Sequence, residues 1–328
     1  MNALSNFGAS PPALVTIAVP TFNRAGYLVE CVESIRRQTY PHLEILVGDN
    51  ASTDATPEVI RDLAAVEPRL RVMRHARNLG MVGNFNALLR AARGRYFLLV
   101  SDDDLLTPRA VEVLVSACQR PNVQFAYGRA VVIDGGGKVK GMSTAQGPEI
   151  ERGTDFIHAH LRGERSVTLA AMMFPIGEPD EREYYDAEIG SVCDFLLRLT
   201  LATRGDVAAV REFVAHYRVH DASLTASAAD FAASHCRMLT TLSVATGDLA
   251  PYREEVRAYV RDYLTHLASA AASRGNLGAA FETASVMEAN GLGGDALRTR
   301  LRILALPPVR LAAEARRRIG AWRASRRA

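Results

Sequence analysis

Tyr96-Phe97-Leu98-Leu99-Val100-Ser101-Asp102-Asp103-Asp104 sets five apolar residues directly against a serine and three acids. The apolar run reads as a strand, and the acids stand at its carboxyl end. Carboxylates a few ångströms apart favour protonation of one member unless a cation intervenes. Hard oxygen ligands suit Mg²⁺ or Mn²⁺, and a site with only one or two carboxylates leaves room for phosphate oxygens in the metal shell. The competing reading is a helix start near Pro108, with Asp103 or Asp104 as its cap.

The same texture repeats on the N-terminal side. Val15 to Val19, Leu43 to Val47 and Leu70 to Met73 read as strands; the segments from Leu28, Pro57 and Val82 carry apolar residues at helical spacing. After the acids come a helix over Pro108 to Cys118 and a strand over Val123 to Val132. Strands alternating with helices of about three turns predict a mixed, mostly parallel α/β sheet flanked by helices. Ligands of such sheets bind at the carboxyl ends of the strands. The candidates are therefore Pro20, Thr21, Asn23 and Arg24, then Asp49 and Asn50, then Asn78 and Gly80 with Asn84 just beyond, and finally Asp102 to Asp104. Asp49 to Asp54 also reads as a turn capping the helix at Pro57. Neither G-x-G-x-x-G nor G-x-x-x-x-G-K-[ST] follows the first strand, which argues against a dehydrogenase or a P-loop kinase.

Four segments in register carry a resemblance: V-T-I-A-V-P-T-F-N-R, E-I-L-V-G-D-N-A-S-T-D, R-N-L-G and G-R-Y-F-L-L-V-S-D-D-D-L-L-T-P. Over roughly Val15 to Leu224 the chain resembles the family 2 inverting glycosyltransferases of the GT-A (nucleotide-diphospho-sugar transferase) fold. The resemblance implies that Pro20, Thr21, Asn23 and Arg24 border a nucleotide, Asp49 receives its base, Asp102 stands beside the ribose and Asp103 binds the metal, supported by Asp104. Ser101 stands where relatives often have a first aspartate. The segment His216 to Ser223 resembles a Y-R-x-H stretch of such enzymes; this implies a metal or diphosphate contact for His220 and phosphate support from Arg218. Inversion needs a general base on the acceptor hydroxyl. The matching stretch, Ser191 to Arg198, has Ser-Val where relatives have Glu-Asp. Asp194 is the candidate, with Asp186 and Glu188 as alternatives; capping of its own helix is the structural reading of Asp194. The donor expected is a UDP-, dTDP- or GDP-sugar and the acceptor a hydroxyl of a glycan, lipid-linked or small molecule. A sugar-phosphate nucleotidyltransferase would need a glycine-rich opening loop that Pro20 to Arg24 lacks. A catalytically inactive nucleotide-sugar-binding scaffold is the other reading left by the Ser-Val departure.

With 48% hydrophobic and 23% charged residues among 328, the chain is large enough for one catalytic domain and an appendage. The expected organisation is a loose tail over 1–14, the catalytic domain over 15–225, and an alanine-rich helical region over 226–328. Cys31, Cys118, Cys193 and Cys236 lie far apart and read as free thiols, and neither a spanning helix nor an export signal is seen. The location expected is cytoplasmic. From Ala296 onward ten arginines face one acid, Glu314. Leu301 to Ala328, with Trp322, reads as a basic amphipathic tail suited to the inner face of an anionic membrane, at roughly 1 kcal/mol per basic residue near the lipid. Solvated helix, oligomer contact and nucleic-acid contact compete; no nucleic-acid motif supports the last.

Overall fold

The computed structural model describes residues 12–143, 147–178, 185–220, 228–244 and 247–304. The described residues fall into two compact units. The first draws on Met1–Phe156, Arg165–Tyr185 and Arg204–Val219, the second on Ile157–Glu164, Asp186–Thr203 and His220–Ala328.

The first unit is built on one sheet. Its elements run β1 (Val15–Thr21), α1 (Ala25–Arg36), β2 (Leu43–Asp49), α2 (Thr56–Val66), β3 (Leu70–Arg74), α3 (Gly80–Ala91), β4 (Tyr96–Leu99), β5 (Leu105–Leu106), α4 (Ala110–Cys118), β6 (Val123–Asp134), β7 (Val139–Met142) and β8 (Ile150–Arg152). The strands β9 (Met172–Pro175) and β10 (Asp206–Val219) complete the sheet; α5 (Gly153–Leu161) and α6 (Cys193–Ala202), which precede them in the chain, fall mostly or wholly in the second unit. The strand order is β3-β2-β1-β4-β9-β6-β10-β5, with β7 on β6 and β8 on β10. The run β3-β2-β1-β4 is parallel throughout, while β9 lies antiparallel to β4 and β6. All seven residues of β2 and all four of β4 are buried, because helices cover both faces of a parallel sheet. The core gathers Val15, Ile17, Val19, Leu28, Ile35, Ile45, Val47, Leu98 and Leu114, among others.

The mostly parallel sheet and the helical C-terminal region expected from the sequence are both present. Three local readings change. The first helix begins at Ala25, a turn earlier than its apolar period from Leu28 suggests, since none of Ala25 to Tyr27 is buried. The two-residue β5, directly after the acids, and the short β9, neither of them read from the sequence, pair antiparallel with β10 and with β4 and β6. Finally, α4 starts at Ala110 with Arg109 at its N-cap and no side-chain cap, so neither Asp103 nor Asp104 caps it.

In the second unit α7 (Ala228–Val244), α8 (Arg253–Ser273), α9 (Leu277–Ala289) and α10 (Gly293–Leu304) form a helical array around Ala268, Ala272, Ala280 and Ile303. Among the described residues no helix is long and apolar enough to cross a membrane. The tail expected over 301–328 lies outside the described residues beyond Leu304.

Candidate functional site

The carboxyl ends of β1, β2 and β4 and the start of α3 bring the four polar loops of the first unit together. Gly48 makes this approach close, since a Cβ there would sit 2.6 Å from Asn84 Oδ1 and 2.9 Å from a Leu88 methyl. Asn84 is buried: its amide nitrogen donates to the Gly48 carbonyl at 2.8 Å and its Oδ1 lies 2.9 Å from His75 Nε2. This side chain fixes α3 under β2.

The first two loops are clasped. Asn50 N–H donates to the Thr21 carbonyl at 3.0 Å, Asn23 N–H donates to Ser52 Oγ at 2.9 Å, and Thr53 N–H donates to Asn23 Oδ1 at 2.8 Å. Asn23 and Ala51 hold left-handed backbones, with φ of 54° and 66°. Asparagine tolerates this conformation, but alanine does so at a cost of order 1 kcal/mol. The third loop is tied in by Asn50, whose amide donates to Asn78 Oδ1 and the Gly80 carbonyl and whose Oδ1 accepts from Leu79 N–H at 2.8 Å. Asp54 accepts from Thr56 N–H at the start of α2, taking the turn-forming role there. That leaves Asp49 for something else. Its Oδ1 accepts from Ser52 N–H at 2.9 Å; its Oδ2 is buried without a hydrogen bond, 3.6 Å from Arg74 Nε.

The three acids take three different environments. Asp102 is buried and accepts from Thr21 Oγ1 at 2.7 Å; burial, with the Asp103 charge adding to it, pushes its carboxyl up to about 7. Asp104, 2% exposed, accepts from Arg218 N–H at 2.8 Å, and burial raises its carboxyl well above the usual range. Asp103 is the partly open member, and its Oδ2 meets Arg24 Nη1 at 2.6 Å.

Arg218 locks this loop. Its Nε donates to the Asp103 carbonyl at 2.8 Å, Nη1 to the Gly135 carbonyl at 2.9 Å and Nη2 to Glu30 Oε2 at 2.7 Å, while the guanidinium lies over the Tyr27 ring at 4.9 Å. These bonds correct the phosphate role expected for Arg218. The guanidinium is spent on the protein, and the residue acts as a clamp on the acid loop. Tyr27, Glu30 and Gly135 escaped the sequence reading, since α1 starts a turn earlier than its apolar period suggests and no periodicity joins it to Gly135 or Arg218.

Among the described residues no group of three or more His, Cys, Asp or Glu side chains forms a metal cage. The donor set nevertheless suits a hard divalent cation that arrives with its own oxygen ligands: Asp103 offers a carboxylate and Asp102 lies beside it, while the two buried neighbours are raised chiefly by burial, with the Asp103 charge adding to it. His220 and the candidate bases belong to the second unit. There Asp194 sits in the first turn of α6, paired with Arg198 at 2.9 Å one turn on, and does not cap the helix. Asp186 Oδ1 accepts from Glu188 N–H at 2.8 Å, and Glu188 is exposed. The same unit stacks Phe195 on Tyr259 and His235 on Tyr263, and burial pushes the His235 imidazole down to about 4.

Comparison with known proteins bears on these loops directly. Residues 16–176 match the Glycosyl transferase family 2 profile. Glycosyltransferase GlyG of Streptococcus pneumoniae is 32% identical over 115 residues, which are 35% of this chain and 38% of that protein. The chain spans only 38%, 13% and 10% of the lengths of the first three relatives it matches. Its fold is shared with S. aureus TarS 1-349, at a TM-score of 0.61 and 15% identity, covering 94% of this chain and 92% of that one. It is shared also with the mannosyltransferase PcManGT from Pyrobaculum calidifontis in complex with GDP-Man and Mn²⁺, at a TM-score of 0.57 and 20% identity, covering 89% and 87%.

Proposed function

Residues 16–176 belong to glycosyl transferase family 2, and from that premise we propose that the chain moves a sugar from a nucleotide-diphosphate donor to a hydroxyl acceptor, with inversion. The observation that carries the reading is Asp49 Oδ2, buried without a hydrogen bond where the loops after β1 and β2 meet, with Arg74 Nε 3.6 Å away. A buried carboxylate oxygen without a donor costs free energy, which a base N–H relieves. Uracil and thymine present N3–H, and guanine N1–H, at the hydrogen-bonding edge; cytosine and adenine present a bare ring nitrogen there. Cytosine and adenine offer only an exocyclic amino group as donor at that edge, so the expected donor is a UDP-, dTDP- or GDP-sugar. PcManGT bound to GDP-Man and TarS bound to UDP-GlcNAc keep such donors within the range of this fold.

Thr21, Asn23 and Arg24 border the nucleotide, and Asp102, held by Thr21, lies beside the ribose. Asp103 holds the cation with Asp104 in support through the loop, and His220 is the further candidate ligand. Mg²⁺ or Mn²⁺, when bound, neutralises the leaving diphosphate. Arg24 steadies the Asp103 carboxylate, and Arg218 steadies the loop that presents it. In the acceptor half, Asp194 removes the hydroxyl proton as the oxygen attacks, with Asp186 or Glu188 taking that role if Asp194 stays with Arg198. That ion pair also sustains the second reading, a nucleotide-sugar-binding scaffold without turnover. The acceptor is a glycan, a lipid-linked glycan or a small molecule, and the working location is the cytoplasm.

A thermal-shift panel tests the donor half, because a specific ligand stabilises the folded state by mass action. With Mn²⁺ present, UDP, dTDP or GDP raises the melting temperature while CDP and ADP do not. Stabilisation by ADP equal to that by UDP and GDP overturns the base assignment. Metal-dependent hydrolysis of the sugar of the best donor separates the enzyme from the scaffold.

A further inference from the structure

Leu297, Leu301 and Leu304 on α10 are 58%, 58% and 61% exposed, among the highest values for large apolar side chains in the described residues. They follow i, i+4, i+7 spacing; at about 100° per residue they share an arc of about 60°. The opposite side of the helix carries Ala296, Thr299 and Ile303, all buried, with Ile303 in the cluster formed with Ala268, Ala272 and Ala280. The helix is thus already packed on one face, and its leucines point away from that packing.

The flanks of the leucine stripe are basic. Arg298 and Arg302, both exposed, lie along one side. Arg300 lies along the other and pairs with Glu288 at 2.8 Å. The sequence after Leu304 adds seven arginines, one glutamate and Trp322 over 24 residues. An apolar stripe between cations is the pattern of a helix lying in the headgroup region of a bilayer, where leucines enter the acyl boundary and arginine stems reach back to the phosphates. A protein partner or a second copy of this chain would have to supply acids against the arginines, and the exposed side of α10 itself offers none; Asp295 is already beside Arg298.

We infer that the outer face of α10 is a membrane-docking surface for anionic lipid, with the arginine-rich segment after Leu304 adding attraction of the same sign. This surface concerns where the protein works, and it stands or falls without any nucleotide.

The test is co-sedimentation of the full chain with phosphatidylcholine vesicles that contain or lack phosphatidylglycerol. Wild type pellets with the anionic vesicles only, and high salt releases a large part of it. A Leu297→Ser/Leu301→Ser/Leu304→Ser variant, altered only at exposed positions, keeps its melting temperature and partitions at least tenfold more weakly. The variant separates the α10 face from the downstream arginines: equal partitioning of variant and wild type overturns the assignment of α10. Absence of wild-type pelleting on anionic vesicles overturns it as well. So does self-association, measured by light scattering, that the triple variant abolishes, since the face would then belong to a second copy.

Discussion

The polar loops of the first unit and the carboxylates Asp186 and Asp194 of the second are held in different ways. Around Asp49 and Asp103 nearly every polar side chain is tied to a loop far away in sequence: Asn23 to Thr53, Asn50 to Leu79, Thr21 to Asp102, and Arg218 to Asp103 across 115 positions. Asp186 and Asp194 themselves bond locally, to Glu188 two residues on and to Arg198 one helical turn on, while the flanking Tyr185 and Ser191 reach Asn86 and Ser234. A nucleotide diphosphate presents the same atoms whatever sugar it carries, so a rigid, cross-braced cradle suits it. Acceptors vary, and a segment fixed by short-range contacts is free to differ in its neighbours. The two regions should therefore respond differently to substitution.

The largest effect is expected at Asp103. Asp103→Asn lowers sugar transfer about a thousandfold, as the loss of an electrostatic contact to developing charge does, and weakens Mn²⁺-dependent nucleotide binding. Titration of Mn²⁺ against nucleotide affinity checks the second effect apart from turnover. Asp194→Asn should lower kcat by about a hundredfold or more while leaving nucleotide affinity unchanged. If Asp186→Asn or Glu188→Gln shows that pattern instead, the base moves to that residue and the contrast between the units is kept. If Asp194→Asn weakens nucleotide binding, the contrast breaks.

Arg218→Met removes a clamp of three guanidinium hydrogen bonds and leaves Asp104, still bonded to the backbone N–H, buried beside a lost cation. Breaking a buried ion network of this kind costs about 3 kcal/mol or more, read in a denaturant midpoint. Arg218→Lys restores the charge without the three-way fork, so it recovers part of the stability and less of the nucleotide affinity.

The units also part company with pH. Burial depresses the His235 imidazole to about 4, below its unfolded value near 6.5. Between these values the unfolded chain binds the extra proton, so the second unit loses about 3 kcal/mol as pH falls from 6.5 to 4. Glu67 of the first unit, bonded to Arg69 and near Arg36, is depressed to about 2, so the stability it contributes is full above about 4.3 and is lost only below that. Urea melts followed by hydrogen exchange should show α7 and α8 opening first as pH drops from 6.5 to 4. The smallest effect is at Ala51, where glycine relieves the left-handed backbone: Ala51→Gly should leave stability unchanged or raise it by up to about 1 kcal/mol.

Much of the parallel sheet and the position of its polar loops was legible because those signals are local. Fully apolar runs such as Val15 to Val19 and Leu43 to Val47 announce doubly covered strands, and the polar residues that follow them mark the site by position. What escaped was made by contacts between distant residues or by very short elements. The Arg218 clamp joins residues over a hundred positions apart, and no periodicity carries such information. A two-residue strand like β5 has no period at all. Asn84 was picked for its place beside the third loop, yet it proves to be buried and bonded to Gly48 and His75. An amide buried beneath a loop and one lining it read alike in a sequence. The acceptor half was hardest, because Ser191 and Val192 replace the acids that would have named the base.

The most direct measurement is the affinity of Mn²⁺ with UDP, dTDP or GDP for wild type and for Asp49→Asn, by titration calorimetry. The account predicts that the best wild-type nucleotide loses about ten- to a hundredfold in affinity, since a charged acceptor facing a base N–H is replaced by a neutral amide. Undiminished binding by Asp49→Asn would contradict it, because Asp49 would then not be the seat of the base.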